Sequence, residues 1–225
     1  MLATMVLKNG TLFTFLAMAT AATGGVAGCP GPGSGPSTPV KCADVEVVFA
    51  RGSGELPGLG ITGGPFVTSL KADLAGRSVN SYAVNYAADI AQTSAGPGAT
   101  DMTNHVTSVA AECPNTKFVL GGYSQGASVT DISIGIPTFL GSGKTIPTNL
   151  APRVAAVVVF GNPLALTGGH IPTASQLYGP KSKEFCALGD PVCANGVNGA
   201  AHLTYSINGM TTQGAAFAAG KVTGS

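Results

Sequence analysis

Between Lys117 and Val129 the chain reads KFVLGGYSQGASV. An apolar run, typical of a buried strand, gives way within two residues to small and polar residues that suit a helix. Ser124 stands at the junction, with Gly122 two residues before it and Gly126 two residues after. Glycines at that spacing let a strand turn straight into a helix, where the two backbones come too close for a side chain. The serine is then pushed to the tip of the turn, at the helix N-terminus, where backbone N–H groups can hold a developing negative charge. A tight turn without chemistry would look the same over these five residues, so the decision falls to the rest of the chain.

Apolar runs recur at VEVVFARG, VNSYAVNY, KFVLGGY, AAVVVFGNP and KSKEFCALG, and each reads as a strand. Helical spacing lies between them. Val67, Leu70 and Leu74 predict a helix over 62–74, and Met102, Val106 and Val109 share one face of a second. A third runs from Gln125 and stops before Pro137, and 200–219 reads as a closing helix. Strands alternating with helices predict an α/β fold: a mainly parallel five-stranded sheet between two helical layers. Sites in such sheets gather at the carboxyl ends of strands. Here those are the loop after Ala50, the turn at Ser124 and the loop after Leu188.

Charged residues make up 9% of the 225-residue chain and the net charge is +1, so a nucleic-acid-binding face is not expected. The first residues read as an export signal, 1–28. Lys8 precedes TLFTFLAMATAA, too short for a span of about 20 apolar residues, and small residues follow it. Val26-Ala27-Gly28-Cys29 resembles a bacterial lipobox, in which the Cys29 sulfur is acylated and anchors the chain to a membrane; ordinary cleavage nearby would leave Cys29 without that role. Residues 29–40, rich in Gly and Pro, read as a tether, and 41–225 as the folded domain. With Cys29 set aside, four cysteines remain and allow three pairings. Cys186 and Cys193 make an easy local loop, which leaves Cys42 with Cys113. No paired C-x-x-C spacing is present, so no metal site is expected.

A nucleophilic serine needs a base, and the base needs an orienting carboxylate. The chain has three histidines. His105 precedes the serine, the wrong order for a G-x-S-x-G elbow. The only acid between Ser124 and His170 is Asp131, which lies about 10 Å along the helix at ~1.5 Å per residue. His202 follows both Glu184 and Asp190, which makes the order Ser…Asp…His available. Asp190, inside the predicted short disulfide loop, is the expected carboxylate, and Glu184 is expected to face solvent from its strand. Gln125, next after the serine, should supply one oxyanion N–H, and Ser53 in FARGSGE the other.

The motifs ARGSGE, GGYSQGA, C-x(3)-DPVC and AHLTY, in that order over residues 41–215, resemble the cutinase family of small secreted serine esterases, and VVFGNP with the Gly-rich tether is similar to its actinobacterial branch. The resemblance implies an α/β-hydrolase-type three-layer sandwich without a large lid. It implies Ser124 as nucleophile, Asp190 and His202 as its partners, and Ser53 and Gln125 as oxyanion hole. It also implies the disulfides Cys42–Cys113 and Cys186–Cys193. The expected activity is hydrolysis of carboxylic esters or lipids by a monomer with no cofactor, secreted or held in the cell envelope. Acyl transfer to an alcohol by the same chemistry, and a non-catalytic envelope-binding role, are the alternatives.

Overall fold

The computed structural model describes residues 41–194 and 196–224. The expected signal, the tether and Cys29 lie outside them. Five strands, β1 (Val45–Ala50), β2 (Val79–Ala83), β3 (Lys117–Tyr123), β4 (Val154–Phe160) and β5 (Ser182–Phe185), form one sheet. It is parallel throughout and ordered β2-β1-β3-β4-β5. Helices α1 (Gly60–Asp73) and α5 (Met210–Thr223) cover one face; α2 (Ala95–Glu112) and α3 (Gln125–Ser133) cover the other. A single turn, α4 (Ile171–Ala174), leads towards β5.

Burial on both faces explains the near-continuous apolar strands. Val45, Val47 and Phe49 of β1 pack with Phe66, Leu70, Ala215 and Val222. Val48 and Ala50 face Met102, Val106 and Val129. Gly214 lets α5 lie close to the sheet, since a Cβ there would meet Phe160 and Val158 at 3.0 Å. Every residue of α3 is buried. Two of its hydroxyls are satisfied within the helix: Thr130 Oγ1 donates to the Gly126 carbonyl at 3.0 Å and Ser133 Oγ to that of Val129 at 2.7 Å.

Three elements are shorter than the sequence suggests, for local reasons. β2 ends at Ala83 because the next carbonyls are drawn off: Arg51 donates to Val84 O and to Tyr86 O. β5 stops at Phe185, where the chain enters the disulfide loop. The closing helix begins only at Met210, whose N–H is taken by the Asn208 side chain at 3.0 Å. His202 therefore sits in a separate 3₁₀ turn, Gly199–Leu203.

Both expected disulfides are present. Cys42–Cys113 closes a separation of 71 residues and ties the entry to β1 to the end of α2. Constraint of the unfolded chain by a loop of that length contributes about 4 kcal/mol in the chain-entropy model. Cys186–Cys193 closes a separation of seven.

The strand order reverses between β1 and β3: the chain passes from β1 out to β2, then returns to the other side of β1. The crevice at such a switch point is where open α/β sheets bind ligands. The loop carrying Ser53 follows β1, and Ser124 follows β3, so the topology brings both to that crevice.

Candidate active site

Ser124 has φ 56° and ψ −121°, an uncommon conformation for a residue with a side chain. Its neighbours enforce it. A Cβ on Gly122 would overlap the Gly126 carbonyl, and one on Gly126 would overlap that of Ala50. Ser124 N–H donates to Phe160 O at 2.9 Å, fastening the elbow to β4. Gln125 opens α3, so its N–H has no intrahelical acceptor.

Asp190 is fully buried. Its Oδ1 accepts from Val192 N–H at 2.8 Å, and its Oδ2 accepts from His202 Nδ1 at 2.8 Å and from Tyr205 Oη at 2.5 Å. A carboxylate at Nδ1 keeps the proton there and leaves Nε2 free to accept one. The His202 ring lies 4.9 Å from that of Tyr123, whose hydroxyl donates to the His202 carbonyl at 2.7 Å. Gly161, at φ 58°, makes room for the imidazole; a Cβ there would stand 2.7 Å from Cε1. Asp190 and His202 are thus joined as the sequence suggests. Among the described residues no hydrogen bond links Ser124 Oγ to His202, and such contacts in enzymes without substrate commonly tighten only on binding.

The Ser53 loop is braced from both sides. Arg51, buried, donates to Glu55 O and Tyr86 O at 2.8 Å each, and Glu55 accepts from Gly52 and Ile61 N–H. Sequence reasoning missed the segment 87–94. Gln92 Nε2 donates to Ser53 Oγ at 2.8 Å and Ala88 O accepts from Gly54 N–H at 2.7 Å. Asp89 O accepts from Gln125 Nε2 at 3.3 Å, and Ser94 Oγ donates to Gln125 Oε1 at 3.4 Å. One segment therefore holds both expected oxyanion residues. Ala88 (φ 50°) and Gln92 (φ 64°) adopt left-handed backbone without being glycine, so no composition signal marked the place.

The other histidines lie in separate networks. His105 pairs with Glu46 at 2.9 Å and stacks on Tyr82. His170 pairs with Glu184 at 2.9 Å. Glu184 does not face open solvent as expected: its other oxygen accepts from Asn162 Nδ2 at 3.1 Å, and that same amide reaches Asp131 Oδ1 at 3.3 Å. Burial pushes the Asp131 carboxyl well above the usual range, and the nearby Glu184 charge adds to the effect. The one grouping of metal-ligand types among the described residues is Cys186, Asp190 and Cys193. Both sulfurs are in the disulfide, which leaves a single carboxylate.

Apolar side chains stand exposed in each loop that carries a site residue: Leu56 beside Ser53, Ile90 in the 87–94 segment, Leu188 before Asp190, and Leu203 after His202.

The family model described as Cutinase matches residues 41–222. A protein named Cutinase from Kineococcus radiotolerans is 61% identical over 185 residues, covering 80% of this chain and 62% of its own length. Carboxylesterase Culp1 of Mycobacterium tuberculosis is 42% identical over 216 residues, covering 93% of this chain and 91% of its own. Among solved structures, a Trichoderma reesei cutinase in complex with a phosphonate inhibitor superposes with a TM-score of 0.65 at 30% identity, over 80% of this chain and 77% of that one.

Proposed function

The chain belongs to the cutinase family, and we infer from this that it is a carboxylic ester hydrolase working through an acyl-enzyme on Ser124. The observation that carries the assignment of roles is the Asp190–His202 hydrogen bond beside a strained serine elbow. His202 Nε2 takes the Ser124 proton as Oγ attacks the ester carbonyl. Asp190 holds the ring and stabilises the imidazolium that forms. The N–H groups of Gln125 and Ser53 receive the oxyanion, and Gln92 steadies Ser53 from behind. His202 then protonates the leaving alcohol, and a water activated by the same histidine releases the acid. The residues named account for every proton moved, and no cofactor enters.

The exposed leucines and isoleucine around the site favour esters of apolar acyl chains. The two disulfides fit an exported protein, since they persist in oxidising compartments. The reading extends to removal of residues 1–28, a tether over 29–40, lipid attachment at Cys29 and action as a monomer. Two acyl chains at Cys29 would hold the enzyme stably at a membrane, where one chain is only marginal.

A series of aryl esters of increasing acyl length, hydrolysed by wild type and by Ser124→Ala, tests the function. Turnover that rises with acyl length before levelling, and is lost in the variant, is expected. Equal turnover by the variant would contradict the assignment. Adding an alcohol acceptor to the same assay separates hydrolysis from acyl transfer, since transfer leaves a new ester among the products. Mass analysis of the mature N-terminus decides the Cys29 reading.

A further inference from the structure

We propose that Tyr205 and Tyr123 are positioning residues for the reaction, a pair of phenols that fixes the Asp190 carboxylate and the His202 backbone relative to the serine elbow. The inference rests on the triad reading above.

The direction of each hydrogen bond follows from its partners. Tyr205 Oη accepts from Ala187 N–H at 3.1 Å, a group that can only donate, so its own proton goes to Asp190 Oδ2. Tyr123 Oη faces the His202 carbonyl, which can only accept. Burial raises both phenols above the ordinary tyrosine range, and the Asp190 charge adds to it, so they remain donors throughout the pH range in which a serine esterase works.

The geometry then divides the work. Val192 N–H holds Asp190 Oδ1 and Tyr205 holds Oδ2. With a donor on each oxygen the carboxylate cannot turn about its own bond, and Oδ2 stays presented to His202 Nδ1. Tyr123 holds the other end of the histidine by its carbonyl, while its ring supports the imidazole. The two phenol rings also touch, edge to face, with centroids 5.7 Å apart. Tyr123 directly precedes Ser124, so the strand that carries the nucleophile also carries the clamp on its base. A core tyrosine with only a packing role has no need to aim its hydroxyl at a buried carboxylate.

The test compares wild type with Tyr205→Phe and Tyr123→Phe on a soluble aryl ester, with near-ultraviolet circular dichroism confirming the fold. Tyr205→Phe should lower kcat between about tenfold and a hundredfold, as for loss of a hydrogen bond to a charged group, while KM stays within about twofold. Tyr123→Phe should lower kcat by a smaller factor, again without raising KM. Wild-type kcat in a folded Tyr205→Phe overturns the proposal. Should that variant fail to fold, 3-fluorotyrosine placed at position 205 keeps the packing and strengthens the phenol as a donor. The His202 Nδ1–H proton resonance should then move upfield, because the shared Oδ2 accepts less from the imidazole; an unmoved resonance overturns the proposal. Activity surviving in Ser124→Ala or Asp190→Asn marks failure of the triad reading itself. Their inactivity beside a fully active Tyr205→Phe marks failure of this inference alone.

Discussion

At Ser124 the chain stores strain: left-handed or otherwise sparse backbone on a residue with a side chain costs of order 1–3 kcal/mol and persists only where the surroundings over-determine it. Gly122 and Gly126 are that surrounding. Gly126→Ala should therefore destabilise the protein by about 3 kcal/mol or more, because its Cβ would meet rigid backbone instead of a side chain able to move. Denaturant unfolding checks this, and a loss within about 0.5 kcal/mol, as for an ordinary surface change, would mean the elbow is not the tight junction described. Asp190→Asn should keep the fold and cut kcat by about 10⁴-fold, as wrong-tautomer variants of such triads do; Glu184→Gln should leave kcat near wild type. Asp131 makes a different prediction. Its folded-state carboxyl titrates above the unfolded one because it is buried, so the folded protein binds the proton more tightly. Stability then falls as pH rises from about 4, the unfolded value, up to the folded value. Asp131→Asn can still accept from Asn162 and has no charge to bury, so its stability should decline less between about pH 5 and 8. Parallel denaturation midpoints for the two proteins across that range would contradict the account.

At the scale of elements, the strands and the elbow were legible because burial on both faces writes them as unbroken apolar runs. Where hydrogen bonding and not hydrophobicity decides, the sequence was less informative. Nothing in VNSYAVNY announces that Arg51 ends β2 by taking the following carbonyls. Asn208-Gly209 is a turn signal directly before Met210, yet the apolar pattern on either side of it reads as one helix back to residue 200, so the separate 3₁₀ turn that carries His202 was not foreseen. Glu184 was expected in solvent because strand alternation says nothing of Asn162, which arrives from another strand's end. Gln92 could not be found at all, since its partner Ser53 lies 39 residues away and joins it only through the fold. The pairing of Asp190 with His202 was legible largely by elimination, three histidines and one usable order leaving little choice. The disulfide loop that carries Asp190 supports a prediction of its own. Cys186 is exposed while Asp190 is buried, so mild reductant should open Cys186–Cys193, free the carboxylate and lower kcat while far-ultraviolet circular dichroism remains native. Activity that falls only together with global unfolding would show that the loop holds Asp190 without the bridge.

Across the whole molecule, one reversal of strand order sets the chemistry. It opens a crevice between β1 and β3 that gathers Ser53 after β1, Gln92 after β2 and Ser124 after β3, while Asp190 and His202, from the chain after β5, pack against Tyr123 at the end of β3. The long disulfide steadies the opposite end of the sheet, where β1 begins. The account stands on an acyl group passing through Ser124. Wild-type protein mixed with an aryl ester whose acyl-enzyme hydrolyses slowly, then quenched in acid and digested, tests this directly. A single acyl mass increment on the peptide bearing Ser124, absent in Ser124→Ala along with turnover, is the result predicted; an acyl group on any other residue, or undiminished turnover in Ser124→Ala, would contradict it.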